Sequence, residues 1–297
     1  VRLTAKIIRH LPAGRYKAMQ RLCRRPPSAF LMYMPEEVGG YSFHCDLRDT
    51  ISREVCFTGC YEPQETALVR SILRPGMSFV DVGANWGYYT LLAASLVGSK
   101  GRVLSVEPDP RLFPILQENV ARSELEQVTV LQMAAAHKPG TLTLAGYTED
   151  GGNHGISRII TDGGGDESVF QVSSDSLDRI LHQHGLLSID LMKMDIEGAE
   201  AFALTGLAES LAERKVKRLL LELHPVQLAE HGSTVAAVIQ KLESAGYRAW
   251  TIDHSPMATR RTAYKREIDI KALLRPHNSS EQYDAWPHQL WLAPDVE

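Results

Sequence analysis

A doubly wound α/β sheet is the fold this sequence predicts, and three observations predict it. Ser78-Phe79-Val80-Asp81-Val82-Gly83-Ala84-Asn85-Trp86-Gly87-Tyr88-Tyr89-Thr90 runs from an apolar β-type stretch through two glycines into helical spacing at Tyr89, Leu92, Ala93 and Leu96. A second apolar stretch, Val103–Val106, closes on Glu107, about twenty-four residues after Gly83 and near the usual offset for an acid that binds ribose hydroxyls. Two later stretches, Ile189–Asp195 and Val216–Pro225, carry Asp195 and the Glu222/His224 pair at the carboxyl ends, where open α/β sheets bind ligands.

The turn after the first of these strands is where a nucleotide-type ligand is expected. Gly83 and Gly87 let backbone approach a bound molecule, and the free N–H groups opening the next helix face the same crevice. A dinucleotide fingerprint wants a third glycine at the middle position, which here is Asn85, so a pyrophosphate on the helix N-terminus is disfavoured and NAD with it. S-adenosylmethionine has no phosphates and needs a polar anchor for its amino-acid end, which Asp81 and the loop backbone offer. The plainer reading, that Asp81 caps a turn and Glu107 ends a strand, gives way because both strand ends belong to one βαβ unit.

Three blocks in this order and spacing are similar to the FkbM family of S-adenosylmethionine-dependent methyltransferases. They are Val80 to Thr90, then Val106-Glu107-Pro108, then Lys193-Met194-Asp195-Ile196-Glu197-Gly198-Ala199-Glu200. The last block is the most specific, and the resemblance runs from roughly Thr66 to Leu223. It implies a class I, Rossmann-like sheet of seven strands, with the late stretch His288–Ala293 slotted antiparallel between the fifth and sixth. It also implies that Tyr88 and Pro108 flank the cofactor, that Met133 and Ala134 lie against adenine, and that Tyr61 and Glu65 approach the cleft. Gly152-Asn153-His154-Gly155 resembles an element the family places beside the reaction centre, which makes Asn153 a contact and His154 a weaker candidate.

In chain order, residues 1–65 read as a basic arm and small β cap, and residues 66–297 as the catalytic domain with a β-hairpin insertion at 141–172. A chain of 297 residues with 44% hydrophobic content buries one large core. The net charge of −4 excludes a globally basic nucleic-acid binder. The cysteines Cys23, Cys45, Cys56 and Cys60 form no Cys-x-x-Cys pair and have no neighbouring histidine run, so zinc is not expected, and no stretch has the length of a membrane span or a signal core, which makes the expected location cytoplasmic. Residues 1–27 carry eight basic and no acidic residues, so they read either as a solvated arm or as a peripheral contact with an anionic membrane. From Leu31 to Cys60 a Gly39-Gly40 turn between alternating stretches predicts a hairpin, and Tyr61–Leu73 predicts a helix stopped at Pro75-Gly76. Asp109 is expected to cap a helix from Pro110 to Ala121, and Asp175 the helix bearing Leu177, Ile180 and Leu181.

For the chemistry, methyl transfer to a hydroxyl needs alignment and a place for the proton. His224 is the expected base, Asp195 its orienter or the sulfonium contact, with Glu222 and Asn153 beside them; Glu197 is read as complementing a helix dipole and Lys193 as an ion-pair partner. No metal is favoured, although Asp195, Glu222 and His224 form an alternative donor set for a divalent ion. The acceptor expected is a small molecule, a sugar or glycan or a polyketide-like product. The rivals are an NAD-linked oxidoreductase and a non-catalytic methyltransferase-like scaffold.

Overall fold

The structure, a computed structural model, describes residues 2–11, 14–22, 29–146, 157–160, 168–255, 257–259, 262, 269–277 and 287–296. The basic arm forms two short helices, α1 (Arg2–Arg9) and α2 (Arg15–Leu22). The expected hairpin is the antiparallel pair β1 (Phe30–Tyr33) and β2 (Ser42–Cys45), but it stops short of Cys60. Asp49 accepts the Ser52 N–H at 2.7 Å and opens α3 (Thr50–Phe57), against which α1 and α2 both pack. Among the described residues no helix is long and apolar enough to cross a membrane.

After α4 (Pro63–Ile72), the winding begins with β3 (Ser78–Val82), α5 (Tyr88–Val97), β4 (Arg102–Val106), α6 (Phe113–Arg122) and β5 (Val128–Leu131). Helix α6 starts three residues later than expected, because Asp109 turns its carboxylate onto the backbone and guanidinium of Arg111. Next, β6 (Ala134–Ala136), β7 (Gly140–Gly146), β8 (Ser157–Ile159) and β9 (Ser168–Ser176) form a separate four-stranded sheet in the order β6-β9-β7-β8. Asn153 and His154 lie outside the described residues. Helix α7 (Leu177–Gln183) is capped by Ser176, while Asp175 pairs with Arg179 at 3.0 Å.

The chain then continues through β10 (Leu191–Met194), α8 (Glu200–Thr205), α9 (Ala208–Ala212), β11 (Arg218–Glu222), α10 (Pro225–Glu230), α11 (Val235–Ser244), β12 (Arg248–Ile252), β13 (Leu274–Pro276) and β14 (His288–Leu292). The main sheet has the order β13-β12-β14-β11-β10-β3-β4-β5. Strand β14 lies antiparallel between β11 and β12, and the eighth strand, one more than expected, is the short β13 paired to the edge of β12. From β3 the chain winds outward through β4 and β5, then returns to place β10 on the other side of β3. That reversal opens a crevice beyond the carboxyl ends of β3 and β10.

Strand alternation divides the core. Phe79 and Leu191 face the layer containing Leu68, Leu91 and Leu92, whereas Val80, Val82, Met192 and Met194 face the layer containing Leu177, Leu204 and Leu228. Asp81 and Lys193 therefore share the Phe79 face, and they are direct register partners across β3 and β10.

Gly83 closes the strand with φ of +86°, and a Cβ there would lie 1.9 Å from the backbone oxygen of Asp195. Gly83→Ala is expected to cost about 3 kcal/mol or more, since a positive φ and a backbone overlap act together. Urea unfolding measures this, and a loss below about 1 kcal/mol would show that the turn relaxes without penalty.

Candidate active site

A cavity of about 260 Å³ fills the crevice. At one end is the loop after β3, where Gly83 and Asn85 both take positive φ values, 86° and 52°. The Gly83 and Ala84 N–H groups donate back to Val106 at 3.0 and 3.1 Å, so they hold β4 rather than a ligand. Glu107 sits just beyond: one carboxylate oxygen accepts the Asn85 N–H at 2.7 Å and the other the Asp109 N–H at 2.9 Å. Burial pushes its carboxyl up to about 7, against the pull of those two amides, and the charges of Asp109 and Asp81 add to the rise. Asn119 ties this loop to the N-terminal hairpin, donating to the Trp86 carbonyl at 2.8 Å and accepting the His44 N–H at 2.8 Å. The Trp86 indole N–H is buried at the cavity wall with no partner among the described residues.

Pro108, Met133, Ala134 and Tyr88 also line the cavity, as do Tyr61 and Asp195. Tyr88 is buried, with its hydroxyl 3.0 Å from that of Thr66. Two expected cofactor contacts do not line it. Asp81 is 2% exposed on the Phe79 face, where its carboxylate accepts the Thr90 hydroxyl at 2.7 Å and faces Lys193. Alternation along β3 turns it into the core beneath the crevice, and burial raises it to about 6. Gly87 caps α5, and its missing Cβ makes room for Leu116, which would lie 2.6 Å away, so its role is packing. Glu65 does not line the cavity either: it holds His288 at 3.1 Å and His254 by a short contact, with His288 between it and Glu222.

At the other end, Asp195, Glu197 and Glu222 converge with Lys193, whose ammonium is 3.0 Å from Asp195 and 4.7 Å above the Tyr89 ring. The Tyr89 hydroxyl donates to Glu62 at 2.8 Å. Glu197 adopts a positive φ of 50°, which turns its side chain back into the cavity instead of along the following helix. Burial raises its carboxyl to about 7 and lifts that of Glu222 well above the ordinary range.

His224 stands directly behind these carboxylates and is 1% exposed. Its Nδ1 is 2.9 Å from Glu200 Oε1, and its Nε2 is 3.5 Å from Glu197, 3.7 Å from Glu222 and 3.8 Å from Asp195. Burial opposes its charge, but the hydrogen bond to Glu200 and the charges of Asp195 and its neighbours outweigh that and hold the imidazole up at about 10. That direction favours the protonated imidazole and weighs against His224 as the general base.

The residues that sequence reasoning missed are Lys193 as a cavity wall, Glu197 as a cavity carboxylate, and Asp49, Thr50 and Ile51 from the start of α3. The donors suit an S-adenosyl sulfonium. Asp49, Glu107, Asp195, Glu197 and Glu222 line the cavity against a single cationic side chain among the described lining residues, Lys193. Such a field attracts a sulfonium and an ammonium and repels a pyrophosphate. Glu107 offers the acceptors a ribose needs, and Met133 and Ala134 give a flat apolar wall.

The model of the family described as Methyltransferase FkbM domain matches residues 81–249. The 31-O-demethyl-FK506 methyltransferase FkbM of Streptomyces tacrolimicus is 28% identical over 202 residues, covering 56% of this chain and 75% of the relative. AMB antimetabolite synthetase AmbE of Pseudomonas aeruginosa is 28% identical over 185 residues, covering 52% of this chain and 9% of that protein. A protein-L-isoaspartate O-methyltransferase of Triticum aestivum is 35% identical over 102 residues, covering 34% of this chain and 38% of the relative. The chain thus spans a minority of the length of the last two.

Proposed function

The chain belongs to the FkbM methyltransferase domain family, and from that premise we propose that it transfers a methyl group from S-adenosylmethionine to a hydroxyl of a small molecule, a sugar or a polyketide-like product. Its sheet is the Rossmann-like α/β fold of class I methyltransferases. The observation that carries the reading is the acid-lined cavity between Glu107 and Asp195. An NAD-linked oxidoreductase needs donors for two phosphates where this cavity presents carboxylates.

When bound, S-adenosylmethionine would supply an electrophilic methyl, passed from sulfur to the acceptor oxygen with S-adenosylhomocysteine as the second product. Glu107 holds the ribose hydroxyls, Met133 and Ala134 flank the adenine, and Asp195 draws the cationic amino-acid end. The hydroxyl's proton leaves toward the Asp195, Glu197 and Glu222 carboxylates at the far end. Tyr61, Tyr89 and the apolar wall from the second sheet, Leu144 and Ile159, exclude water from the methyl's path. The O-directed reading draws support from the name of the Streptomyces relative, which gives its acceptor as 31-O-demethyl-FK506.

The test is transfer of labelled methyl into fractionated sugar, glycolipid and small-metabolite pools. A labelled product whose methyl survives mild base and is located on oxygen by nuclear magnetic resonance supports O-methylation. Binding of the cofactor with no labelled product in any pool would favour the scaffold rival.

Cofactor binding is also expected to depend on pH through Glu107. With its carboxyl raised to about 7, it is partly protonated below that pH and loses acceptors needed for ribose. S-adenosylhomocysteine affinity should therefore fall by up to about tenfold per unit below pH 7 and level off above it, with proton release on binding near neutrality. Calorimetry in two buffers of different ionisation enthalpy measures both, and an affinity flat from acid to mildly alkaline pH would contradict this role.

A further inference from the structure

We infer that Asp195, Glu197, Glu222 and His224 form a site for one divalent cation of the Mn²⁺ or Zn²⁺ type, at the acceptor end of the cavity. The donor spacing is the first reason. Oxygens of Asp195 and Glu197 and the Nε2 of His224 lie within 4.8 Å of one another. From Nε2 the distances to Glu197, Glu222 and Asp195 are 3.5, 3.7 and 3.8 Å, longer than a good hydrogen bond. Donors each about 2.0–2.2 Å from one ion stand about 2.8–3.6 Å apart in octahedral or tetrahedral arrangements, so the Glu197 distance already fits and those to Glu222 and Asp195 would close by about 0.1–0.2 Å around a cation.

The second reason lies behind the ring. Glu200, which is fully buried, engages His224 Nδ1 at 2.9 Å and is itself fixed by the Gly198 N–H at 3.0 Å. A carboxylate behind a histidine fixes the tautomer and the ring angle of a metal ligand, and here it aims Nε2 at the three carboxylates. The third is Glu222: 9% exposed and facing the cavity, its carboxylate accepts no hydrogen bond from any described residue. Its nearest cationic groups are His288 and His224, at 3.5 and 3.7 Å.

Charge agrees with the geometry. Lys193 engages Asp195 through its second oxygen, and no other lysine or arginine lines the cavity among the described residues, so a divalent ion that displaces the His224 proton would meet little opposing charge there. One imidazole with carboxylates suits Mn²⁺, Zn²⁺ or Fe²⁺ better than a soft monovalent ion. The sequence alternative of Asp195, Glu222 and His224 is thereby enlarged by Glu197, which the positive φ turns inward.

For its chemistry the site rests on the methyltransferase reading, since the ion's open positions face the cavity where a hydroxyl acceptor would bind and be acidified. Its existence does not depend on that reading. Chelator-stripped protein, without cofactor, is titrated with Mn²⁺ and followed by the electron paramagnetic resonance of the free ion and by calorimetry, with Zn²⁺ as competitor. One Mn²⁺ per chain is expected, displaced by Zn²⁺. Glu197→Gln and Glu222→Gln, each checked for folding by circular dichroism, should weaken it at least about tenfold. His254→Ala, in the separate group with Glu65 and His288, should leave it unchanged. No saturable uptake, or uptake indifferent to both glutamate variants, overturns the site. A parallel titration with S-adenosylhomocysteine separates the two claims. Mn²⁺ uptake without nucleoside binding leaves the ion site standing and removes the methyltransferase reading, and nucleoside binding without Mn²⁺ uptake does the reverse.

Discussion

Glu107→Ala is expected to weaken S-adenosylhomocysteine binding by about 100-fold or more. Both oxygens of Glu107 already accept buried amides, those of Asn85 and Asp109, so the side chain braces the glycine turn and also presents the remaining lone pairs to a ribose. Removing it deletes two charge-assisted hydrogen bonds to the ligand, about 1.5–3 kcal/mol each, and strands two backbone donors. About 3 kcal/mol of lost binding is already about 100-fold. Glu107→Gln keeps the shape but offers one acceptor oxygen and an N–H₂ that opposes a neighbouring amide, so it should fall between wild type and alanine. Calorimetry reads the affinity and urea unfolding reads the bracing. If alanine changed stability but not affinity, Glu107 would be a structural brace only.

Lys193→Met should destabilise the fold by about 3–5 kcal/mol, the cost of leaving buried carboxylates without their counter-charge. Lys193 is 5% exposed, contacts Asp195 at 3.0 Å, and faces Asp81 across the β3–β10 pairing. The loss has a pH signature. Asp81 is raised to about 6 in the fold, so its contribution to stability is present below its unfolded pKa and is lost as pH rises through about 6. Without Lys193 the carboxyl rises further, and the deficit should be larger at pH 8 than at pH 5. Urea midpoints at both values measure this; equal deficits would mean that Asp81 does not feel the ammonium.

Much of the sheet is legible in the sequence because its strands are short apolar runs closed by charged residues. Val106–Glu107, Met194–Asp195 and Leu221–Glu222 mark the ends of β4, β10 and β11, while β3 runs one residue past Asp81 to Val82. The N-terminal segment is less legible. Asp49 opens α3 inside what reads as a hairpin, and only the tertiary fold brings Asp49, Thr50 and Ile51 to the cavity. The gathering of Asp195, Glu222 and His224 follows from adjacent parallel strands, and is visible from alternation alone. Two residues are placed differently from the expectation, for opposite reasons. Asp81 sits on the face of β3 that α5 covers, so the same alternation applied one strand earlier places it under the crevice. Glu197 lies in a turn whose left-handed backbone no periodicity announces, and that torsion brings it into the cavity. The role of His224 depends on Glu200 behind it, a contact between residues 24 apart that composition does not reveal.

Titrating S-adenosylhomocysteine and, separately, NAD⁺ into the purified chain tests the acid-lined cavity most directly. One equivalent of S-adenosylhomocysteine should bind, no NAD⁺ should bind, and the nucleoside signal should vanish in Glu107→Ala. Binding of NAD⁺ in its place, or S-adenosylhomocysteine binding untouched by Glu107→Ala, would contradict the account.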